Sequence, residues 1–329
     1  MDEQEASRPP RKSSSSILPA LVPSASLLLY KTQTTLGLLR EVVQESSAVY
    51  WYERGKTAYS SNDFVMAEFC FHSCLEHDND YWQAKLQLAI LWAKSQNISR
   101  TADALQKAYE GKYPDSCSFR NELSTSEWQA LRIAFQNRRA DDSENFKTQL
   151  ALLIIDTLSN KRSLQCKFMT ELGVKHPNES WNSSSYQRIY GWSIMYYSEE
   201  EFELVSHHYE QYFSRATECN PLNSHAYIDW ALFERRRGNS SKFINYINHA
   251  IELNPGCTTA LIQRGIFFCK AAAAGGDSFF DKALLDFNRV IELSPRNGLA
   301  YLYRILIKKD IGDNLGAAED QETHDSLFL

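Results

Sequence analysis

Four side chains of the kind that bind metals or act as nucleophiles fall within one short stretch: Cys70, His72, Cys74 and His77. On a helix, Cys70, Cys74 and His77 lie four and three positions apart and share one face, which places them within reach of a common ion. A structural zinc site needs a second ligand pair closing the tetrahedron, and no second Cys pair follows at a suitable spacing. The expectation is therefore packing, with no metal. His207-His208 lacks an accompanying acidic-ligand pattern and reads as the surface of a helix, whose start at Glu199-Glu200-Glu201 places negative charge where the helix dipole favours it. No Gly-rich phosphate loop, His-Glu-x-x-His helix or Gly-x-Ser-x-Gly elbow occurs. The expectation is a non-enzymatic protein without a cofactor. Arg8-Pro9-Pro10-Arg11-Lys12 stands directly before Ser13 to Ser16, which leaves a phosphorylation site and a plain linker both open.

The elements that carry these residues are helical. Of 329 residues, 43% are hydrophobic and 12% aromatic, enough for a sizeable core, while Gly (13) and Pro (9) are few and long amphipathic runs dominate. The net charge of −6 argues against a dedicated nucleic-acid or anionic-membrane surface, which needs an excess of Lys and Arg. The most apolar early stretch, Ile17 to Leu39, is broken by Pro19, Pro23 and Lys31 and falls short of a membrane span. Seven scattered cysteines, an odd number, fit reduced thiols, and the acidic start Met1 to Glu5 resembles neither a secretory nor a mitochondrial leader. The Asn-x-Ser sequons at Asn97, Asn178, Asn182 and Asn239 read as chance products of polar loops. The expected setting is soluble and intracellular, cytoplasmic with the nucleus left open.

Along the chain, residues 1–24 have the composition of a disordered tail, and 26–46 of a helix. From Ala48 to about 114, paired helices are separated by polar turns at Ser60-Ser61-Asn62-Asp63 and Ser95-Gln96-Asn97. Between 115 and 183 the period is lost, but apolar residues keep helical spacing, as divergent hairpins would. From 184 to 329 regular helices resume. Three segments there end alike, at Asn220-Pro221, Asn254-Pro255 and Ser294-Pro295. The first two prolines are 34 apart and the last two 40 apart, one period plus the six-residue insertion Ala271 to Gly276.

A period of 34 with two helices per unit resembles the tetratricopeptide repeat family. Trp51, Gly55, Ala67 and Phe71 stand at its aromatic, glycine, alanine and second aromatic positions, with Arg54, Ala58 and Asn79 replacing its usual Leu, Tyr and Pro. Later copies carry Tyr227, Ala231, Gly238 and Ala250, with Phe243 where a small residue is usual; then Leu261, Gly265, Phe268, Ala283, Phe287 and Pro295; then Tyr301, Gly312-Asp313 and Ala317. The resemblance covers about two thirds of the chain. It implies an all-α, right-handed superhelical solenoid of antiparallel hairpins, some degenerate, closed by the polar helix Ala317 to His324. At the register of Cys74 the family has a small buried residue, which a thiol replaces as a compact hydrophobe.

The family's geometry lines the concave groove with the first helix of each hairpin. Carried over position by position, it implies three apolar pairs, Ile228 with Leu232, Ile262 with Ile266, and Leu302 with Leu306, followed by Arg235, Arg236, Lys270 and Lys309. Such a groove suits an amphipathic helix or extended segment bearing acidic residues. Intramolecular packing would use the same spacing. In the early hairpins Tyr52, Lys56 and Tyr59, then Leu86, Ile90 and Lys94, take the groove positions; Tyr52 and Lys56 replace the Lys/Asn pair with which one subgroup clamps chaperone tails, so that clamp is absent. The expected function is a protein–protein interaction scaffold or adaptor binding other proteins, with self-association open and nucleic acid not expected. The alternatives are a regulatory subunit of an enzyme complex and an RNA-associated repeat protein.

Overall fold

The computed structural model describes residues 47–138, 145–158, 162–196, 198–275 and 278–327. The expectations for the tail, the 26–46 helix and the Ser13 to Ser16 run lie outside them. Residues from Ala48 onward form one compact unit, and no strand occurs among the described residues.

Helices pair in chain order: α1 (Ala48–Ser60) with α2 (Phe64–His77), then α3 (Trp82–Lys94) with α4 (Ile98–Tyr109). After a less regular set, α5 (Ser116–Asn121), α6 (Thr125–Arg138), α7 (Phe146–Leu158), α8 (Arg162–Lys175) and α9 (Pro177–Trp181), regular hairpins return. They are α10 (Ser184–Trp192) with α11 (Glu199–Cys219), α12 (Ser224–Arg236) with α13 (Ser240–Leu253), α14 (Thr258–Ala273) with α15 (Ser278–Leu293), and α16 (Gly298–Asp310) with α17 (Asn314–Ser326). The second helices α2, α11, α13 and α15 each pack on the first helix of the next hairpin, and α4 packs on α7, as in an all-α solenoid.

One local device makes four of the hairpin turns. A residue in the left-handed region ends the first helix and an Asp or Asn caps the second: Asn62 (φ 61°) with Asp63, Gln96 (φ 57°) with Asn97, Gly238 (φ 76°) with Asn239, and Gly312 (φ 84°) with Asp313. The capping residue's own N–H returns to the first helix, from Asp63 to Ala58 O at 2.9 Å and from Asp313 to Lys308 O at 2.8 Å, so carbonyls that would be orphaned are satisfied. The insertion behaves differently. Ala271 to Ala273 extend α14 beyond the length of the other first helices, and the turn follows at Gly275 (φ 103°).

Close helix contact rests on glycine facing an aromatic ring. A Cβ on Gly55 would stand 2.6 Å from Phe71, one on Gly265 2.8 Å from Phe287, and one on Gly191 3.1 Å from Phe213. Phe71, Phe213 and Phe287 are fully buried. In the irregular region α7 is buried on every side from Thr148 to Ile155, because α4, α6, α8 and α10 surround it.

Candidate partner-binding surface

The structure separates the three apolar pairs. Ile228 and Leu232 are buried against Phe243, Ile247, Cys257 and Ala260. Ile262 is buried with Phe287, Ala300 and Ile307, and Ile266 packs half-buried against that cluster. Leu302 and Leu306 remain 43% and 49% exposed, with Leu299 beside them at 46%. The physical reason is the stacking order. Residues of α14 cover α12 and residues of α16 cover α14, whereas no described hairpin lies beyond α17 to cover α16. Ile228, Leu232 and Ile262 are therefore core residues, a correction to their placement in an open groove.

The basic residues divide in the same way. Arg236 is held in place: its guanidinium lies 4.2 Å from the Phe202 ring centroid, donates to Ile194 O at 3.1 Å and reaches Glu199 at 3.3 Å. It fastens α12 to the preceding hairpin, so it too is a packing residue and not part of an open groove. Arg235 is exposed and donates to Gln263, the next first helix. Lys270 and Lys309 are exposed and form no ion pair among the described residues. In the first hairpin Tyr52 is buried, and its hydroxyl donates to Glu122; burial first, then Glu122, pushes that hydroxyl's pKa upward. Lys56 is exposed over the Tyr52 ring at 5.4 Å. Leu86 and Ile90 are buried as well, while Lys94 stacks on Tyr59 at 4.3 Å beside a hollow of about 430 Å³ that α6 helps to wall. Cys70 and Cys74 are wholly buried, and burial pushes the Cys74 thiol up to about 12, a protonated hydrophobe at neutral pH.

Two arrangements escaped the sequence reading. The first is a ladder of arginines. Arg264 makes a bidentate pair with Asp286 (2.9 and 2.6 Å) and donates to Asn248 on the preceding second helix at 2.9 Å. Arg304 repeats the pattern with Asp320 and with Asn288 at 2.8 Å. Burial opposes ionisation of both carboxyls. At Asp286 burial prevails and pushes the pKa up against Arg264, whereas at Asp320 the hydrogen bonds from Arg304 and Lys308 outweigh burial and hold it down. The signal was present: the two arginines and the two asparagines are each 40 apart, the Pro255 to Pro295 interval.

The second is a strap, residues 110–115, laid across the N-terminal ends of later hairpins. Glu110 accepts from Ser185 at 2.6 Å and Asn220 at 3.3 Å. The Tyr113 carbonyl accepts from His225 at 2.9 Å and from Asn254 at 3.3 Å, and the two rings of Tyr113 and His225 stack at 3.8 Å. Pro114 O accepts from the Cys257 thiol at 3.2 Å, and Asp115 from the Thr258 hydroxyl at 3.1 Å. Beside the strap, Arg188 pairs with Asp229 at 2.8 Å and covers the Tyr109 ring at 4.9 Å. Burial, with the charge of Arg188 adding to it, drives the His225 imidazole down to about 3. Partners more than 70 positions apart leave no local sequence pattern.

No protein-family model and no curated protein matches the chain. Among solved structures, the human IFIT1 dimer with m7Gppp-AAAA superposes with a TM-score of 0.51 at 13% identity, covering 84% of this chain and 68% of that one. The monomeric IFIT1 mutant with Gppp-AAAA gives 0.51 and 13%, covering 85% and 69%. The chain has a tetratricopeptide-like fold. A tetratricopeptide repeat protein from Parabacteroides merdae is matched at 14% identity over 85% of this chain and 93% of that one, with a TM-score of 0.46. The tetratricopeptide-like hairpins form a right-handed solenoid, and no described helix is long and apolar enough to cross a membrane.

Proposed function

We propose that the protein is a non-enzymatic interaction scaffold that receives an amphipathic, acidic segment of a partner protein on the open face of α16. The observation that supports this reading is the stripe Leu299, Leu302 and Leu306, spaced three and four apart and each more than 40% exposed on a helix whose other face is core. Lys309 at the end of that stripe, and Ile266 with Lys270 on α14, extend it and give it the charge to favour carboxylates. An apolar stripe with a cationic end takes a helix through i, i+3 and i+7 anchors. Affinity purification with the double variant Leu302→Asp/Leu306→Asp tests it. Loss of the partners that the unaltered chain retains, with an unchanged melting curve, is the expected result; an identical partner set contradicts it. If the retained partner is a second copy of the chain, or a stoichiometric enzyme, the scaffold is a self-associating or regulatory one.

A second reading is binding of an RNA 5′ end. It rests on the fold shared with IFIT1, itself seen with m7Gppp-AAAA, and on the buried Arg188, whose Nη1 makes no hydrogen bond among the described residues. The net charge of −6 opposes it. A capped oligoribonucleotide that fails to bind at ~0.15 M salt eliminates it.

A further inference from the structure

A cavity of about 410 Å³ opens between α2, α3 and α4, its lining including Lys85, Arg100 and Lys107 together with His72 and Trp92. Its origin lies in the repeat register. Lys85 stands 34 positions after Trp51, at a position that holds Tyr227, Leu261 and Tyr301 in later hairpins. Trp51 fills its site and meets the Phe69 ring edge-on at 5.8 Å. A lysine stem is thinner than an indole and carries its charge toward solvent, so the same position in α3 leaves a hollow with an ammonium in its wall.

Lys85 is half-buried, and neither it nor Lys107 forms an ion pair among the described residues. Asp103, the carboxylate in the lining, is committed to Lys147 at 2.7 Å, and nearby Asp80 to Lys112 at 2.9 Å. Burial lowers the Lys85 pKa and the proximity of Lys107 lowers it further, with Asp80 and Asp78 opposing. A half-buried ammonium beside a second cation, with no ion pair of its own among the described residues, favours an anion that joins the two. In the same lining the Trp92 indole is fixed by donation to Glu68 at 2.8 Å, with the Arg100 guanidinium 5.7 Å from its ring.

We propose that this cavity binds a phosphomonoester carried on an aromatic body, the phosphate among Lys85, Arg100 and Lys107 and the ring against His72 and Trp92. Three cations call for more negative charge than a single carboxylate supplies. A phosphomonoester brings about −1.5 to −2 at neutral pH and three acceptor oxygens. The cavity is larger than a phosphate and falls in the size range of small-molecule sites, which combine apolar walls with a few convergent polar groups.

Calorimetric titration of the full chain with phenyl phosphate, inorganic phosphate and phenol tests this. Phenyl phosphate is expected to saturate one site per chain and to bind more tightly than either fragment. Lys107→Glu, at an exposed position, should weaken it by about tenfold or more; Lys85→Met should do the same without lowering the melting temperature, and Lys112→Gln should leave it unchanged. Absence of saturable binding, or unchanged affinity in a normally folded Lys107→Glu protein, overturns the proposal. A phosphotyrosine peptide run alongside identifies the source: tighter binding than phenyl phosphate points to a phosphorylated protein, equal or weaker binding to a free aryl phosphate.

Discussion

The hairpins α3–α4 and α14–α15 share a register but treat charge in opposite ways. In α14, Arg264 enters the packing layer and is met on both sides, by Asp286 of its own hairpin and Asn248 of the one before. In α3 the same position is Leu88, and the charge stands three residues earlier as Lys85, which forms no ion pair among the described residues and lines a cavity. A solenoid thus accommodates an interior cation in two ways. Where the cation bridges two second helices it ties neighbouring hairpins together; where it replaces an aromatic it leaves a hole that a ligand can fill.

The largest effect should come from what the two hairpins share, the filled space at the helix crossing. Phe287→Ala removes a buried ring packed under Gly265 and should cost about 3–5 kcal/mol, and Leu105→Ala about 2–5 kcal/mol, in denaturant unfolding. A cost below 1 kcal/mol at either site, on the order of a surface change, would mean that the hairpin is not packed as described. Next comes the charge itself. Asp286→Ala leaves Arg264 without its carboxylate and should cost about 2–4 kcal/mol, whereas Lys85→Met should cost nothing measurable. Equal losses at both would erase the contrast between the two hairpins.

A further effect, spread over a range of pH, reports on the strap that joins early and late hairpins. Because His225 has its pKa driven down to about 3 when buried, the unfolded chain takes up a proton below its ordinary value near 6.5 that the folded chain refuses. Stability is unaffected by this group above that pH and declines as pH falls from 6.5 toward 3, by up to ~1.4 kcal/mol per unit. His225→Gln should flatten that portion of the stability profile. An unchanged slope between pH 6.5 and 5 would show that the imidazole is not held away from water by Tyr113.

Much of the helical register was legible because it is local. The Gly55/Phe71 and Gly265/Phe287 partners lie on paired helices, and the Asp63, Asn97 and Asn239 caps follow turn-forming residues directly. The surface was less legible. Ile228 and Leu302 have the same spacing to their partners and the same apolar character, yet one is buried by Cys257 and Ala260 and the other is open. Position along the stack decides that difference, and side-chain period carries no information about it. The strap was invisible for a related reason, since Glu110 and Tyr113 find their partners across 75 and 112 positions.

The central claim is that the open face of α16 receives a partner segment, and hydrogen–deuterium exchange on the full chain with and without its retained partner tests it most directly. Protection is expected over 299–309 and at 266–270, with α13 and α15 unchanged. Protection confined to the second helices α13 and α15, with α16 exchanging as in the free chain, would contradict it.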